Sequence, residues 1–387
     1  MSPPGRPKGE YRSAQHEGTP VRPQQGDSVA SVLTPALVID LDAMERNLAR
    51  LAEFARHQGL RLRPHAKMHK SGHIAKLQMA AGAVGVCVQK LSEAEALAAA
   101  GVSDIYISNE IVDPAKLARV AALAGKVTLA IAVDSALGVS RLASAVKASG
   151  NALDVFVEID VGQGRCGVKP IDAAALAQQV AAQGLRFAGL QAYHGRAQHL
   201  RTAAEREAAI GQTVAGVRVA LAGLADLGIA CPLVTGAGTG SFVFEAASGV
   251  YGELQAGSYL FMDADYGSNE PTPGAPVFEH ALFIKSQVVS RDEAHAVVDA
   301  GHKSHAIDSG LPRVWQRGLA FANGGDEHGI LHAARDALPE LGDTVWLVPG
   351  HCDPTVNLHD HYVAVRGGLN DGVVEAVWPV DARGCLV

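Results

Sequence analysis

From about residue 31 to residue 260, apolar residues fall into short unbroken runs separated by alanine-rich stretches. The first run is Ala36–Leu41. Asp42 follows it as the expected N-cap of a helix over Met44–His57. Further runs read as strands near Leu60–Pro64, Gly85–Gln89, Asp104–Ser108, Lys126–Val133, Leu153–Ile159, Leu185–Tyr193, Cys231–Thr235 and Glu253–Leu260. Helical runs fill most of the gaps: His73–Ala81, Ser92–Ala100, Pro114–Leu123, Leu137–Ala148, Asp172–Gln183 and Ala203–Leu227. Strands that are apolar on both faces and alternate with helices predict a parallel sheet covered on both sides. Eight such units closing on themselves make a (β/α) barrel, and this is the fold expected here. The alternative is an open doubly wound sheet. No GxGxxG turn follows the first strand, which disfavours its dinucleotide-binding version.

Beyond about residue 272 the period shortens. Alternating runs at Ala281–Val289, His295–Val298, Asp343–Val348, His361–Val365 and Val373–Val377 are separated by Gly and Asp turns. They predict a C-terminal domain of antiparallel β-strands. The expected organisation is a flexible tail over residues 1–30, a barrel over 31–272 and a β domain over 273–387. The Ala36–Leu41 run precedes the barrel and has the option of pairing with the β domain.

Composition narrows the partners. The formal charge is -7, from 33 basic and 40 acidic side chains, with no basic stripe. Nucleic acid is therefore not expected. No apolar window of membrane-spanning length stands out, so no membrane partner is expected. Residues 1–30 carry no apolar stretch of signal-peptide type, and the default location is the cytoplasm. The five cysteines are scattered and form no CxxC pair, which argues against disulfides and against a structural zinc site.

Several strand ends carry chemistry. Arg63-Pro-His-Ala-Lys-Met-His-Lys70 closes the first barrel strand, where catalytic groups of such barrels collect. A lysine desolvated there has a lowered pKa and becomes a nucleophilic amine. The glycines of Val157–Gly167 let the backbone pass close to a ligand, and Arg165 is placed to donate to a phenolate or carboxylate. Gln191-Ala-Tyr-His-Gly195 ends another strand; Tyr193 and His194 offer a flat wall and a hydrogen-bonding edge. The turns Thr235-Gly-Ala-Gly-Thr-Gly-Ser241 and Gln255-Ala-Gly-Ser-Tyr259 follow the last two barrel strands, where barrels often bind phosphate. In the C-terminal domain, Asp326-Glu-His328 and His351-Cys-Asp-Pro-Thr355 are candidate metal segments. On an extended segment His351 and Asp353 share a face, suiting Mn²⁺, Mg²⁺ or Zn²⁺, whereas His351 with Cys352 would favour zinc.

Taken together, Arg63–Lys67, Gly162–Gly167, Gly189–Gly195, Leu254–Tyr259, Asp326–Gly329 and His351–Thr355 resemble the D-threonine aldolase and D-serine dehydratase group. These are pyridoxal 5′-phosphate enzymes of alanine-racemase-like fold. The resemblance runs from about Thr34 to Gly384. It implies that Lys67 holds the cofactor as an imine and that Arg165 faces its phenolic oxygen. It implies that Tyr193 and His194 lie against the ring and that Gln191 is also cofactor-binding. It assigns the phosphate to Thr239, Gly257, Ser258 and Tyr259, and Thr235 and Gly238 to the cofactor-binding set. His351 and Asp353 would bind a divalent metal, Mn²⁺ or Mg²⁺ before Zn²⁺. The base taking the β-hydroxyl proton would be His328, His69 or a water. A homodimer is implied, each β domain helping to close its partner's site. The dehydratases of the group pair His with a Cys two residues on. Asp353 occupies that position here, so the sequence leans to an aldolase, a carbon–carbon lyase cleaving a small D-3-hydroxy-amino acid such as D-threonine. A 3-hydroxy-D-aspartate aldolase and a D-serine or 3-hydroxyaspartate dehydratase are the alternatives. A racemase would need a second base, commonly a tyrosine from the β domain, and none is located among Tyr362 and its neighbours.

Overall fold

Polar caps set where the main helices begin. In the computed structural model, which describes residues 23–334 and 336–387, Asp40 caps α1 (Leu41–His57) by accepting the Ala43 N–H at 3.1 Å. The cap thus stands two residues before Asp42, the expected one. Asp42 instead lies in the first turn and binds Arg366 at 2.9 Å. Helices α2 (Gly72–Ala80), α3 (Leu91–Ala99), α4 (Pro114–Leu123), α5 (Ala136–Ser149), α6 (Ala173–Ala182), α7 (Ala203–Asp226) and α8 (Phe242–Ala247) follow. Thr202 and Glu205 form a capping box at the start of α7.

Strand β1 (Ala36–Asp40) precedes the barrel strands β2 (Arg61–Leu62), β3 (Val86–Val88), β4 (Asp104–Ile107), β5 (Thr128–Val133), β6 (Asp154–Glu158), β7 (Arg186–Ala192), β8 (Val234–Gly236) and β9 (Glu253–Leu254). These last eight form one parallel sheet in the order β2-β9-β8-β7-β6-β5-β4-β3. Its ends meet: the Val84 N–H donates to Leu62 O and the Cys87 N–H to Pro64 O, both at 2.9 Å. Inside lie Cys87, Tyr106, Ala130, Ala132 and Phe156, and outside the apolar strand faces pack under the helices. A bulge in β7 falls at Gly189, where φ is 143°. A Cβ there would stand 1.8 Å from Leu233 O, so only glycine lets β7 and the β8 approach meet. By length and composition α7 would suffice to cross a membrane, contrary to the sequence expectation. Here it is a barrel helix packed on α6 and α8, with Ile210, Val217 and Leu224 buried.

The second sheet holds β10 (Leu282–Arg291), β11 (Ala296–Val298), β12 (Arg313–Val314), β13 (Leu319–Asn323), β14 (Gly329–Ala333), β15 (Thr344–Val348), β16 (His361–Arg366) and β17 (Val373–Pro379), together with β1. It is mixed rather than antiparallel, because β1 runs parallel to β16 and antiparallel to β10. The sequence did not show β12–β14, which are short and half exposed. The run Cys352–Val356 is a one-turn helix, α9, and not an extended segment. Of the expected tail, residues 1–22 lie outside the described residues. The remainder is packed rather than loose: the Lys285 ammonium, buried in β10, donates to Val29 O, Ala30 O and Val32 O at 2.7–3.0 Å.

Candidate active site

The loop after β2 is fastened on three sides before it presents Lys67. His65 Nδ1 accepts the Lys67 N–H at 3.4 Å, turning the chain into the single helical turn Ala66–Met68. The buried Lys70 ammonium meets Glu93 of α3 at 2.5 Å, and the Tyr362 hydroxyl donates to His69 O at 2.6 Å. Lys67 then faces a cavity of about 260 Å³ at the carboxyl end of the barrel. Ten predicted residues line it: Lys67, Arg165, Gln191, Tyr193, Gly238, Thr239, Gly257, Ser258, His351 and Asp353.

The β domain supplies the acidic wall. Asp353 Oδ2 stands 3.4 Å from Lys67 Nζ, and its other oxygen stands 3.7 Å from His351 Nε2. Burial works against the Lys67 charge, but the Asp353 carboxylate outweighs it and holds the amine above its ordinary pKa. The expected depression of that pKa is therefore reversed. His351 Nδ1 is engaged by Asp308 at 2.7 Å, which leaves Nε2 toward Asp353. A carboxylate fixing one imidazole nitrogen so that the other is free is the usual support of a metal-binding histidine. Two ligands of one ion stand roughly 3–3.5 Å apart, close to the 3.7 Å separation here, so this donor pair fits a divalent metal. Because α9 is helical, what brings His351 and Asp353 together is the turn around its N-terminus. Asp263 holds that turn by accepting the Cys352 N–H at 3.0 Å. The Cys352 thiol is buried and does not line the cavity, so a His351–Cys352 zinc pair is not assembled.

The opposite end suits an anion. Among the described residues, no protein acceptor takes the main-chain N–H of Gly238, Thr239, Gly257 or Ser258. Ala237 holds φ 70°, the left-handed kink that gathers successive N–H groups into an anion cradle. Between the two ends, Tyr193 forms a wall. Gln191 forms the floor: its Oε1 accepts from Tyr106 at 3.1 Å and from Gln255 Nε2 at 2.8 Å. An amine, an aromatic wall and a separate anion cradle fit pyridoxal phosphate.

Five predicted residues are elsewhere. His194 does not line the cavity; it lies over Gly162, where a Cβ would come within 2.7 Å of its ring. Tyr193 and His194 are neighbours leaving a strand, so their side chains diverge. Thr235 lies beneath the floor, donating to Glu253 at 2.9 Å. The Tyr259 hydroxyl is buried against Gln78 at 3.3 Å, and its main-chain N–H donates to Thr239 Oγ1 at 2.9 Å, so it shapes the turn at Thr239 from behind. His69 is sealed in: Nδ1 accepts from the Ser71 N–H, Nε2 faces Gln78 Oε1, and burial pushes its pKa down to about 4. It has no free nitrogen for a substrate. His328 sits exposed just before β14, outside the cavity of its own chain. Tyr362, spent on His69 O, is no second base either.

Sequence reasoning missed His65, Gln255 and His199, all of which line the cavity. His65 was legible as a neighbour of Lys67; its Nε2 contacts Gln89 at 3.0 Å. His199 Nδ1 pairs with Asp265 at 2.5 Å, leaving Nε2 for chemistry. Nothing in the sequence links positions 66 residues apart.

A family model described as alanine racemase, N-terminal domain, matches residues 39–265, and one for a serine dehydratase domain matches 281–365. The D-threonine aldolase of Arthrobacter sp. is 49% identical over 368 residues, covering 93% of this chain and 95% of that protein. The 3-hydroxy-D-aspartate aldolase of Paracoccus denitrificans strain Pd 1222 is 44% identical, with 93% and 94% covered. The crystal structure of D-threonine aldolase from Filomicrobium marinum superposes with a TM-score of 0.91 at 49% identity, over 95% of this chain and 99% of that one. The chain belongs to the D-threonine aldolase and D-serine dehydratase-like family of alanine-racemase-fold enzymes.

Proposed function

We propose that this chain is a pyridoxal-phosphate- and divalent-metal-dependent D-threonine aldolase, cleaving a D-3-hydroxy-amino acid to glycine and an aldehyde. The observation that carries the reading is the juxtaposition of Lys67 with the Asp353–His351 couple, 3.4 Å and 3.7 Å apart, in one cavity. When bound, the cofactor supplies an electron sink for the charge left on Cα, and the metal, Mn²⁺ or Mg²⁺, supplies a Lewis acid for the β-hydroxyl.

The chain's own groups do the rest. Lys67 offers the amine that anchors the cofactor. Gly238, Thr239, Gly257 and Ser258 take the phosphate, and Arg165 the phenolic edge. His351, aimed by Asp308, and Asp353 hold the metal. His199 takes the β-hydroxyl proton at Nε2, and Asp265 at Nδ1 stabilises the imidazolium that results. We infer a cytoplasmic homodimer in which the partner's β domain covers the open side of the cavity. His199→Asn then lowers turnover by a factor of about 10²–10⁴ while the visible absorption of the bound cofactor is kept. An unchanged rate removes His199 from the scheme.

A second reading has a specific support. Arg196 also lines the cavity, and its guanidinium is a partner for a substrate side-chain carboxylate. That favours 3-hydroxy-D-aspartate, which would yield glycine and glyoxylate. Metal-loaded enzyme given D-threonine, 3-hydroxy-D-aspartate and D-serine in turn decides between them. Glycine with an aldehyde supports an aldolase and the better substrate names it. Ammonia with a 2-keto acid would establish a dehydratase instead, and full activity in chelator would remove the metal.

A further inference from the structure

Beyond Arg165, at the outer mouth of the barrel, a group of acidic side chains takes no part in the site above. Glu110, Asp134 and Cys166 lie on the loops that follow β4, β5 and β6, and none of them lines the cavity. One ligand atom from each lies within 4.8 Å of the others. Glu158, the last residue of β6, is 5% exposed, and its carboxylate abuts that of Glu110. Among the described residues, no donor outside the group reaches the Glu158 carboxylate. Both Glu110 oxygens are fully buried with no hydrogen-bond partner. Asp134 receives only the Gly167 N–H, at 3.2 Å.

Buried acceptors left without donors are costly, and buried like charges more so. Glu110, Asp134 and Cys166 are half-buried as residues, but the Glu110 oxygens are sealed from water and Glu158 is buried beside them, and this pair needs compensation. Arg165 influences Glu158 and Cys166 through space, yet forms no ion pair with them among the described residues. A shared proton satisfies one carboxylate: burial and the Glu110 charge push Glu158 up to about 9. The Cys166 thiol is likewise kept protonated beside Glu110, toward which it donates. One divalent cation would take the place of both protons and bind the three groups together.

We propose that Glu110, Asp134 and Cys166, backed by Glu158, form a second divalent-cation site, selective for Zn²⁺ and separate from His351–Asp353. A thiolate among carboxylates suits borderline-soft zinc better than Mg²⁺ or Mn²⁺. Oxygen and sulfur ligands of tetrahedral zinc stand about 3.5 Å apart, so the three groups close by roughly an ångström on binding. The ion ties together three barrel loops, including the Gly162–Gly167 turn that carries Arg165. It therefore acts as a positioning device for Arg165. Because it displaces protons from Glu158 and Cys166, its affinity rises with pH.

The test is equilibrium dialysis of chelator-treated, cofactor-loaded enzyme against Zn²⁺, with bound zinc counted by elemental analysis. Wild type and the variants Asp353→Ala, Cys166→Ser and Glu110→Gln are compared. We expect one equivalent per chain that survives Asp353→Ala and is lost in Cys166→Ser and in Glu110→Gln. Cadmium in place of zinc should give a thiolate–metal ultraviolet absorption in the Asp353→Ala chain only while Cys166 is present. The site is overturned if all retained zinc vanishes with Asp353→Ala. It is equally overturned if the zinc that remains is indifferent to both Cys166→Ser and Glu110→Gln. Glu110→Gln is isosteric, so folding of the chain does not hinge on the cysteine variant.

Discussion

Lys67 is governed less by where the barrel puts it than by Asp353, which the other domain brings to 3.4 Å. A raised pKa means that the folded state stabilises the ammonium. Removing the carboxylate must therefore lower it. Asp353→Asn should shift the pH midpoint for capture of pyridoxal phosphate by the apoenzyme downward by about one unit or more. A midpoint that stays in place would mean that burial alone sets the amine. The same residue scale separates holding a metal from aiming its ligand. Asp308 touches His351 at 2.7 Å but does not line the cavity. Asp308→Asn should raise the metal concentration needed for half-maximal activity about 10–100-fold, with turnover at saturating metal nearly kept. Equal loss at every metal concentration would place Asp308 in the chemistry itself.

Between elements, Asp265 joins the loop after β7 to the segment after β9. Its carboxylate, 8% exposed as a residue, binds His199 and Arg201. Burial alone would raise its pKa, but these two partners outweigh burial and bring it to about 2. A depressed carboxyl pKa gives stability that is present above the ordinary value, near 4, and lost as pH falls toward 2. About 2 kcal/mol should therefore disappear over that window in the wild type. Asp265→Asn should lack this acid-dependent part while being less stable at pH 6. Urea unfolding at pH 6, 4 and 3 measures it; parallel losses in both proteins would discount the cluster.

The molecule as a whole does not divide where the sequence pattern changes. Strand β1 is laid between β10 and β16 before the chain enters the barrel. One apolar cluster runs through Leu37 and Ile39 of β1, Met44 and Leu51 of α1, Tyr259 and Phe261, and Ile284, Leu347 and Tyr362 of the β domain. Fragments 31–272 and 273–387 each carry half of that cluster exposed. Neither should fold when expressed alone, as seen by circular dichroism and urea unfolding. A cooperative transition in the isolated 31–272 fragment would show a self-sufficient barrel.

Apolar period and strand–helix alternation follow from local sequence, so the barrel strands are readable within a few residues, except that the Glu253–Leu260 run is strand only over Glu253–Leu254 and makes a short helical turn at Ser258–Leu260. Lys67, Arg165 and the glycine turns were readable too, because each chemical group closes its own strand. The short strands β12–β14 were not, since half-exposed runs of two to five residues carry little periodic signal. Helix α9 was mistaken for extended chain because one helical turn has no period to detect. Which of two neighbours faces inward, as with Tyr193 and His194, was beyond reach as well. So were the pairings His199–Asp265, His351–Asp308 and Glu110–Asp134–Cys166. Sequence determined which groups stand at the barrel's carboxyl end. Only the tertiary structure decided which of them meet, because electrostatic and hydrogen-bond effects depend on distances of a few ångströms between residues far apart in the chain.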